Sequence, residues 1–236
     1  MEKCIHLTPR LSAAADMLLG PVVADIGADH GRLAAALIQS GRAQRVIASD
    51  ISESSLSKAR MLAEKCALSD ELVLRIADGL CALTPGEADS IAILGMGGTL
   101  IAKLLESGRD VAMQAKRLVL SPMRAADDLR YYLFHAGYDI VDEKLVLDSG
   151  RYYQLIAAKA GVPSPLPSFW PQGMYSLGPM LYQKRDPLLP PLVAKHIAGH
   201  QKRLSRAKRS GSTPEALLHE LDELTAIQKL IDEGYS

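Results

Sequence analysis

The stretch Val22-Val23-Ala24-Asp25-Ile26-Gly27-Ala28-Asp29-His30-Gly31 constrains this chain more than any other. Its apolar opening reads as a buried strand. A glycine-punctuated turn follows, and Leu33, Ala36 and Leu37 then recur as one apolar helix face over 32–39. Strand, tight turn and helix N-terminus in direct succession are the start of an α/β unit. Gly27 and Gly31 carry no Cβ, so the turn either admits a small ligand close to its backbone or takes up positive φ.

The residues between those glycines narrow the choice of ligand. A dinucleotide fingerprint running from Gly27 would need glycine at positions 29 and 32, where this chain has Asp29 and Arg32. A carboxylate in the middle of the turn repels a pyrophosphate and attracts a ligand bearing an ammonium and a sulfonium. S-adenosylmethionine carries both. The segment 45–50 reads as a second strand ending in Asp50, an acid placed to accept both hydroxyls of a ribose. Asp25, Gly27, Asp29, Gly31 and Asp50 therefore form one set. A competing reading keeps the doubly wound fold and makes Asp29 a helix cap and Asp50 a turn former.

The rest of the chain continues the alternation. Leu7, Leu11, Ala14, Ala15 and Leu18 predict a short amphipathic helix before Gly20-Pro21, with Arg10 near the ligand turn. A helix over 52–66 with Ser52 as N-cap, a strand over 72–76 ending at Ala77-Asp78-Gly79, and a strand over 90–94 follow. That fourth strand runs into Gly95-Met96-Gly97-Gly98, after which Leu100, Ile101, Leu104 and Leu105 restore helical spacing. A fifth strand over 117–120 ends at Ser121-Pro122-Met123-Arg124, and a helix over 125–136 leads to a hairpin of 138–146 and 152–158 around Asp148-Ser149-Gly150. Alternating strands and helices imply a doubly wound parallel sheet that binds ligands at the carboxyl ends of its strands. The acids and glycines just named sit at those ends.

Length and charge set the outer limits. A chain of 236 residues with 48% hydrophobic content is long enough for one α/β domain and an appendage. Pro163, Pro165, Pro167 and Pro171 predict a linker over 161–173, separating a domain at 1–160 from a helical domain at 174–236. In the latter, 190–208 and 214–233 read as two antiparallel helices, a coiled-coil-like hairpin joined around Ser210-Gly211-Ser212. The absence of a long apolar run or signal peptide makes a cytoplasmic protein without membrane contact the expectation. Cys4, Cys66 and Cys81 lack metal-ligand spacing, so reduced thiols and no metal site are expected. The net charge of zero hides eight Lys or Arg residues over 184–209 against Asp186 alone.

Taken together, Arg10-Leu11, Asp25 to His30, Asp50-Ile51, Asp78-Gly79-Leu80 and Gly95-Met96-Gly97-Gly98 resemble the bacterial tRNA (adenine-22-N1) methyltransferases. These are class I S-adenosylmethionine enzymes of Rossmann-like fold with a C-terminal helical appendage. The resemblance covers most of the chain. It implies that the Asp25 to His30 element carries the methionine end of the cofactor, Asp50 and Ile51 its ribose and adenine, and Asp78-Gly79 the adenine edge. Gly95 and Met96 fall to the cofactor as well, and Arg10, Gly97 and Arg124 to RNA. One position departs: Pro122-Met123 stands where the family tends to show Pro-Asn, which removes an amide and leaves Arg124 as the neighbouring polar group.

The motifs also bear on the target atom. Methylation of an exocyclic adenine amine commonly uses Asn/Asp-Pro-Pro-aromatic after the fourth strand, where this chain has Gly95-Met96-Gly97-Gly98. Pyrimidine carbon-5 chemistry needs a nucleophilic cysteine, and neither the fourth nor the fifth strand end supplies one. Adenine N1 already has a lone pair, so orientation and charge management suffice. Asp29 is the first candidate to stabilise the developing charge, with His30 as its hydrogen-bonding neighbour. Cofactor binding alone for Asp29, and a structural role for His30, are the competing assignments. On the tail, Lys195, Lys202, Arg206 and Arg209 fall on one side of a helix, with Arg203 beside them, and would meet tRNA phosphates. The alternatives are pairing of these cations with Glu220, Asp222 and Glu223, a cofactor-binding protein without activity, or a small-molecule methyltransferase whose hairpin dimerises. A monomer or weak homodimer is expected.

Overall fold

The computed structural model describes residues 5–164, 173–209 and 215–234. Contacts divide the chain into two compact units, Met1–Ser164 and Pro165–Ser236. Of the predicted linker, residues 165–172 lie outside the described residues, as does the predicted helical joint around Ser210.

The first unit opens with α1 (Pro9–Met17), started by Pro9 and by the Thr8 hydroxyl, which accepts the Leu11 N–H at 3.4 Å. Then come β1 (Val22–Ile26), α2 (Arg32–Gln39), β2 (Arg45–Asp50), α3 (Glu53–Lys65) and β3 (Leu72–Ile76). A single turn of 3-10 helix over Gly79–Ala82 precedes β4 (Ser90–Leu94), α4 (Gly98–Ser107) and the short α5 (Arg109–Ala112). The unit ends with β5 (Arg117–Ser121), α6 (Ala126–His135), β6 (Tyr138–Asp148) and β7 (Arg151–Ala160). The order across the seven-stranded sheet is β3-β2-β1-β4-β5-β7-β6, with the first five strands parallel and the last two antiparallel. The predicted hairpin therefore continues the sheet at one edge. Its turn is made by Ser149 and Gly150, both at positive φ (51° and 75°), which matches the twist of the flanking strands.

Both faces of the sheet are covered, which is why the central strands β1 and β4 are buried almost throughout rather than alternating. Leu33, Ala34 and Leu37 of α2 pack with Val23, Val46 and Ala48 on one face. Ile101 and Leu105 of α4 and Leu129 and Leu133 of α6 pack with Ile26, Ile93 and Leu120 on the other. Ala13, Ala14 and Met17 of α1 pack against Val119, Val146 and Leu155, so this helix rests on the hairpin end of the sheet. A fully buried ion pair locks the hairpin to α6: Arg130 Nε donates to Glu143 Oε1 at 2.6 Å and Arg130 Nη2 donates to Gln154 Oε1 at 2.6 Å. Removing one partner from such a pair costs about 3–5 kcal/mol, because the other charge is left buried.

The second unit contains α7 (Met174–Leu177), α8 (Pro179–Gln183), α9 (Leu189–Arg209) and α10 (Glu215–Gly234). Leu192, Val193 and Leu204 of α9 and Leu217, Leu224, Ile227 and Ile231 of α10 are buried. His200 meets Glu220, while Pro190 and Pro191 share a groove with Gln228 and Asp232, so α9 and α10 run antiparallel. The short helices α5, α7 and α8 and the 3-10 turn escape the sequence reading. Elements of four or five residues are too short for a 3.6-residue period to register.

Candidate active site

The chain runs outward from β1 to β3, then returns to lay β4 on the other side of β1. The crevice at the carboxyl ends of these two strands is the switch point at which such sheets bind ligands. A cavity of about 490 Å³ lies there. Asp25, Gly27, Asp29 and His30 line it from the end of β1, and Asp50 and Ile51 from the end of β2. Asp78 and Gly79 follow from β3, Gly95 and Met96 from β4, and Arg10 from α1. Leu100 and Leu104 of α4 line it too and were not anticipated; helical spacing marks them as apolar but does not say what they face.

The turn after β1 is fastened to β2. The Gly27 and Ala28 N–H groups donate to the Ser49 carbonyl at 2.8 and 3.0 Å. Asp50 takes the Asp29 N–H on Oδ2 at 3.2 Å and the Ser52 N–H on Oδ1 at 2.9 Å. Its carboxylate is thus held rigidly by main-chain donors while each oxygen keeps a further lone pair for a ligand. Asp29 is not the cap of α2. That position belongs to Gly31, at φ 67°, and Asp29 itself sits at φ 49° with an exposed side chain whose Oδ2 is 3.1 Å from His30 Nδ1. Gly27, at φ 73°, takes a backbone conformation that L side chains rarely adopt, and a Cβ there would displace the Met96 methyl group.

Asp25 is the unusual group. It is only 4% exposed, and burial, reinforced by the charge of Asp50, pushes its carboxyl up to about 7. No hydrogen bond from the described residues reaches it. A buried carboxylate facing a cavity without a partner fits a ligand that brings its own cation, and an ammonium is such a cation.

The second glycine turn and the loop after β5 form one floor. Gly95 N–H donates to the Ser121 carbonyl at 3.0 Å, Met123 N–H to the Met96 carbonyl at 2.8 Å, and Gly98 N–H to the Arg124 carbonyl at 2.8 Å. Gly98 has to be glycine here, since a Cβ would run into the Ala125 carbonyl oxygen. Gly97 and Arg124 do not line the cavity but adjoin each other beside it, the Arg124 Nε lying 3.4 Å from where a Gly97 Cβ would be. Met123 is 47% exposed, and its sulfur accepts from Arg10 Nη1 at 3.6 Å.

The tail cations belong to the other unit. Lys195, Lys202, Arg203, Arg206 and Arg209 are all exposed on α9. Pairing of Lys202, Arg203 and Arg206 with the acids of α10 is not what forms among the described residues. Glu220 instead pairs with His200 at 2.9 Å, and Glu223 lies 4.0 Å from His219 on its own helix. No cluster of three His, Cys, Asp or Glu side chains among the described residues could hold a metal ion. No described helix is long and apolar enough to cross a membrane.

The model of a family described as a methyltransferase domain matches residues 7–156, which contain the whole cavity. The chain belongs to this methyltransferase family. The methyltransferase is 36% identical over 158 residues to the tRNA (adenine(22)-N(1))-methyltransferase of Bacillus subtilis (strain 168), a match that takes in 66% of each protein. The crystal structure of the B. subtilis M1A22 tRNA methyltransferase TrmK superposes with a TM-score of 0.80 at 28% identity, over 98% of this chain and 100% of that one. Streptococcus pneumoniae Sp1610 in complex with S-adenosyl-L-methionine gives a TM-score of 0.84 at 26% identity, over 94% of this chain and 100% of that one.

Proposed function

We propose that this chain is a tRNA methyltransferase that places a methyl group on N1 of adenine 22, with S-adenosylmethionine as donor. The observation that carries this reading is the buried, unpartnered Asp25 at the floor of an acidic, glycine-cradled cavity, in a chain whose relatives include a tRNA (adenine(22)-N(1))-methyltransferase. S-adenosylmethionine supplies an electrophilic methyl on a sulfonium. Asp25 and the turn over Gly27 take the amino-acid end, Asp50 the ribose hydroxyls, and Ile51 with Asp78 and Gly79 the adenine. Gly95 and Met96 close the wall opposite Gly27. The adenine N1 lone pair forms the new bond as the carbon–sulfur bond breaks, so the base gains a positive charge partly shared with its N6 amine. Asp29, exposed at the rim, accepts from that amine, and His30 steadies the carboxylate. Digestion of treated tRNA followed by mass spectrometry is expected to show N1-methyladenosine. An N6 or pyrimidine product formed directly would refute the assignment.

The ribose assignment is tested by Asp50→Ala. Loss of charge-assisted hydrogen bonds worth about 1.5–3 kcal/mol weakens cofactor binding about tenfold to a hundredfold by calorimetry. Unchanged affinity in a folded variant would leave Asp50 with only its two main-chain bonds.

The division of labour runs close to the two units, whose boundary falls between Ser164 and Pro165. Residues 1–160 do the chemistry, 161–173 link, and 174–236 dock the tRNA through the exposed cations of α9, Lys195 included, with Arg10, Gly97 and Arg124 meeting RNA nearer the cavity. The enzyme acts as a monomer or weak homodimer in the cytoplasm, where its substrate is. Replacing Lys202, Arg203, Arg206 and Arg209 by glutamine is expected to weaken tRNA binding. The slope of log K against log salt should fall by about 0.7–0.9 per lost phosphate contact, with cofactor affinity unchanged. An unaltered slope with loss of a dimer in light scattering would make this hairpin a subunit contact instead.

A further inference from the structure

Arg10 stands on the cavity wall in an unusual setting. It is half-buried, and no ion pair among the described residues takes its charge. Its Cζ sits 4.9 Å from the centroid of the Tyr153 ring, and its Nη1 reaches the Met123 sulfur at 3.6 Å. Gly95 lies beside it, with Nη1 at ordinary contact distance, 3.6 Å, from where a Cβ would stand. The same hairpin that carries Tyr153 also holds the α1 backbone, through the Arg10 N–H and Asp148 Oδ2 at 3.5 Å. An aromatic ring and a thioether fix a guanidinium in place without neutralising it, so its charge and its fork of donors stay available.

The charge decides what Arg10 can hold. A cation stacked on the reacting adenine would oppose the positive charge that develops there. A cation on the phosphodiester of the same nucleotide would not, and it would offset the repulsion of that phosphate by Asp25, Asp29, Asp50 and Asp78 around the cavity. An adenine methylated at N1 has to be unpaired and turned into the site, which brings its phosphate near the rim, where a cation can hold it. We propose that Arg10 anchors the phosphate of the target nucleotide and that Tyr153 is the positioning residue that holds Arg10 for it. This rests on the tRNA reading above.

Salt dependence separates this role from a merely structural one. Tyr153→Leu is expected to raise the KM for tRNA about tenfold and to lower the salt slope of tRNA binding by about 0.7–0.9, the value of one phosphate contact. Arg10→Ala is expected to do the same. The double variant should be no worse than either single one, because Tyr153 acts through Arg10. Tyr153→Phe keeps the ring and should restore the parent slope, with cofactor affinity at the parent value in all of them. Should Tyr153→Leu not fold, Tyr153→His, which weakens the attraction for the cation, is read in the same way. A parent slope in Tyr153→Leu, or additive losses in the double variant, would overturn the proposal while the tRNA reading stands. A parent protein that binds no tRNA at any salt concentration overturns both.

Discussion

Asp29→Asn is expected to lower kcat about a hundredfold while leaving the affinity for S-adenosylmethionine within a few fold, the size typical of removing one group that meets charge formed in the transition state. The substitution is unusually clean here. Asparagine is nearly isosteric and tolerates the left-handed backbone that Asp29 adopts at φ 49°. The bond that ties this residue to Asp50 comes from its main-chain N–H, so the turn keeps its anchor in the variant. What is lost is the carboxylate charge, which lies 3.1 Å from His30 Nδ1 and is otherwise exposed. In the proposed reaction that charge would meet an adenine that is neutral before transfer and cationic after it, and so would favour the transition state over the bound substrate. Single-turnover rates with saturating cofactor measure the effect directly. A parallel collapse of cofactor binding would reduce Asp29 to a cofactor ligand. His30→Gln should cost less, about tenfold or below, if His30 only steadies the Asp29 carboxylate it contacts, as proposed.

Why Asp29 could be singled out from sequence, and Tyr153 could not, is a matter of range. Asp29 lies between two glycines at the end of an apolar run, and a turn so short fixes where its residues go. The same local logic reads α2, β2, β3 and β4 to the residue, since each is an apolar run or period bounded by turn formers. Tyr153 meets Arg10 only because α1 packs on the hairpin at the far end of the chain, a contact that no local period encodes. Arg130 and Glu143 carry no mark of burial in the sequence, yet their side chains are completely buried against each other. Charge alone gives no sign of burial when the partner is supplied by another element. Asp25 is intermediate: its place near the end of β1 is legible, but its burial between Ala48 of β2 and Ala92 of β4 depends on strands paired from elsewhere in the chain.

That isolation makes cofactor binding pH-dependent in a definite direction. In the free enzyme burial holds the Asp25 carboxyl at about 7, so below that pH it is mostly protonated. With the proposed pairing of the S-adenosylmethionine ammonium and the Asp25 carboxylate, binding between pH 5 and 7 expels a proton, and affinity should rise about tenfold per pH unit before levelling off above 7. Stability of the free protein runs the other way. Because the folded pKa is raised above the unfolded value of 3.8, the native state binds more protons than the unfolded chain between the two. Its contribution is therefore fully present below 3.8 and is lost as pH rises through about 7. Cofactor should raise the melting temperature more at pH 7.5 than at pH 5.5. Asp25→Asn is expected to bind the cofactor at least tenfold more weakly at pH 7.5, to lose the rise in affinity between pH 5 and 7, and to melt higher than the parent at pH 7.5 when free. Calorimetry in two buffers of different ionisation enthalpy counts the proton directly: close to one released by the parent at pH 6 and none by Asp25→Asn. A parent that releases none at pH 6 would mean that Asp25 keeps the same protonation state free and bound, and would refute a protonated buried acid that ionises to receive the ammonium.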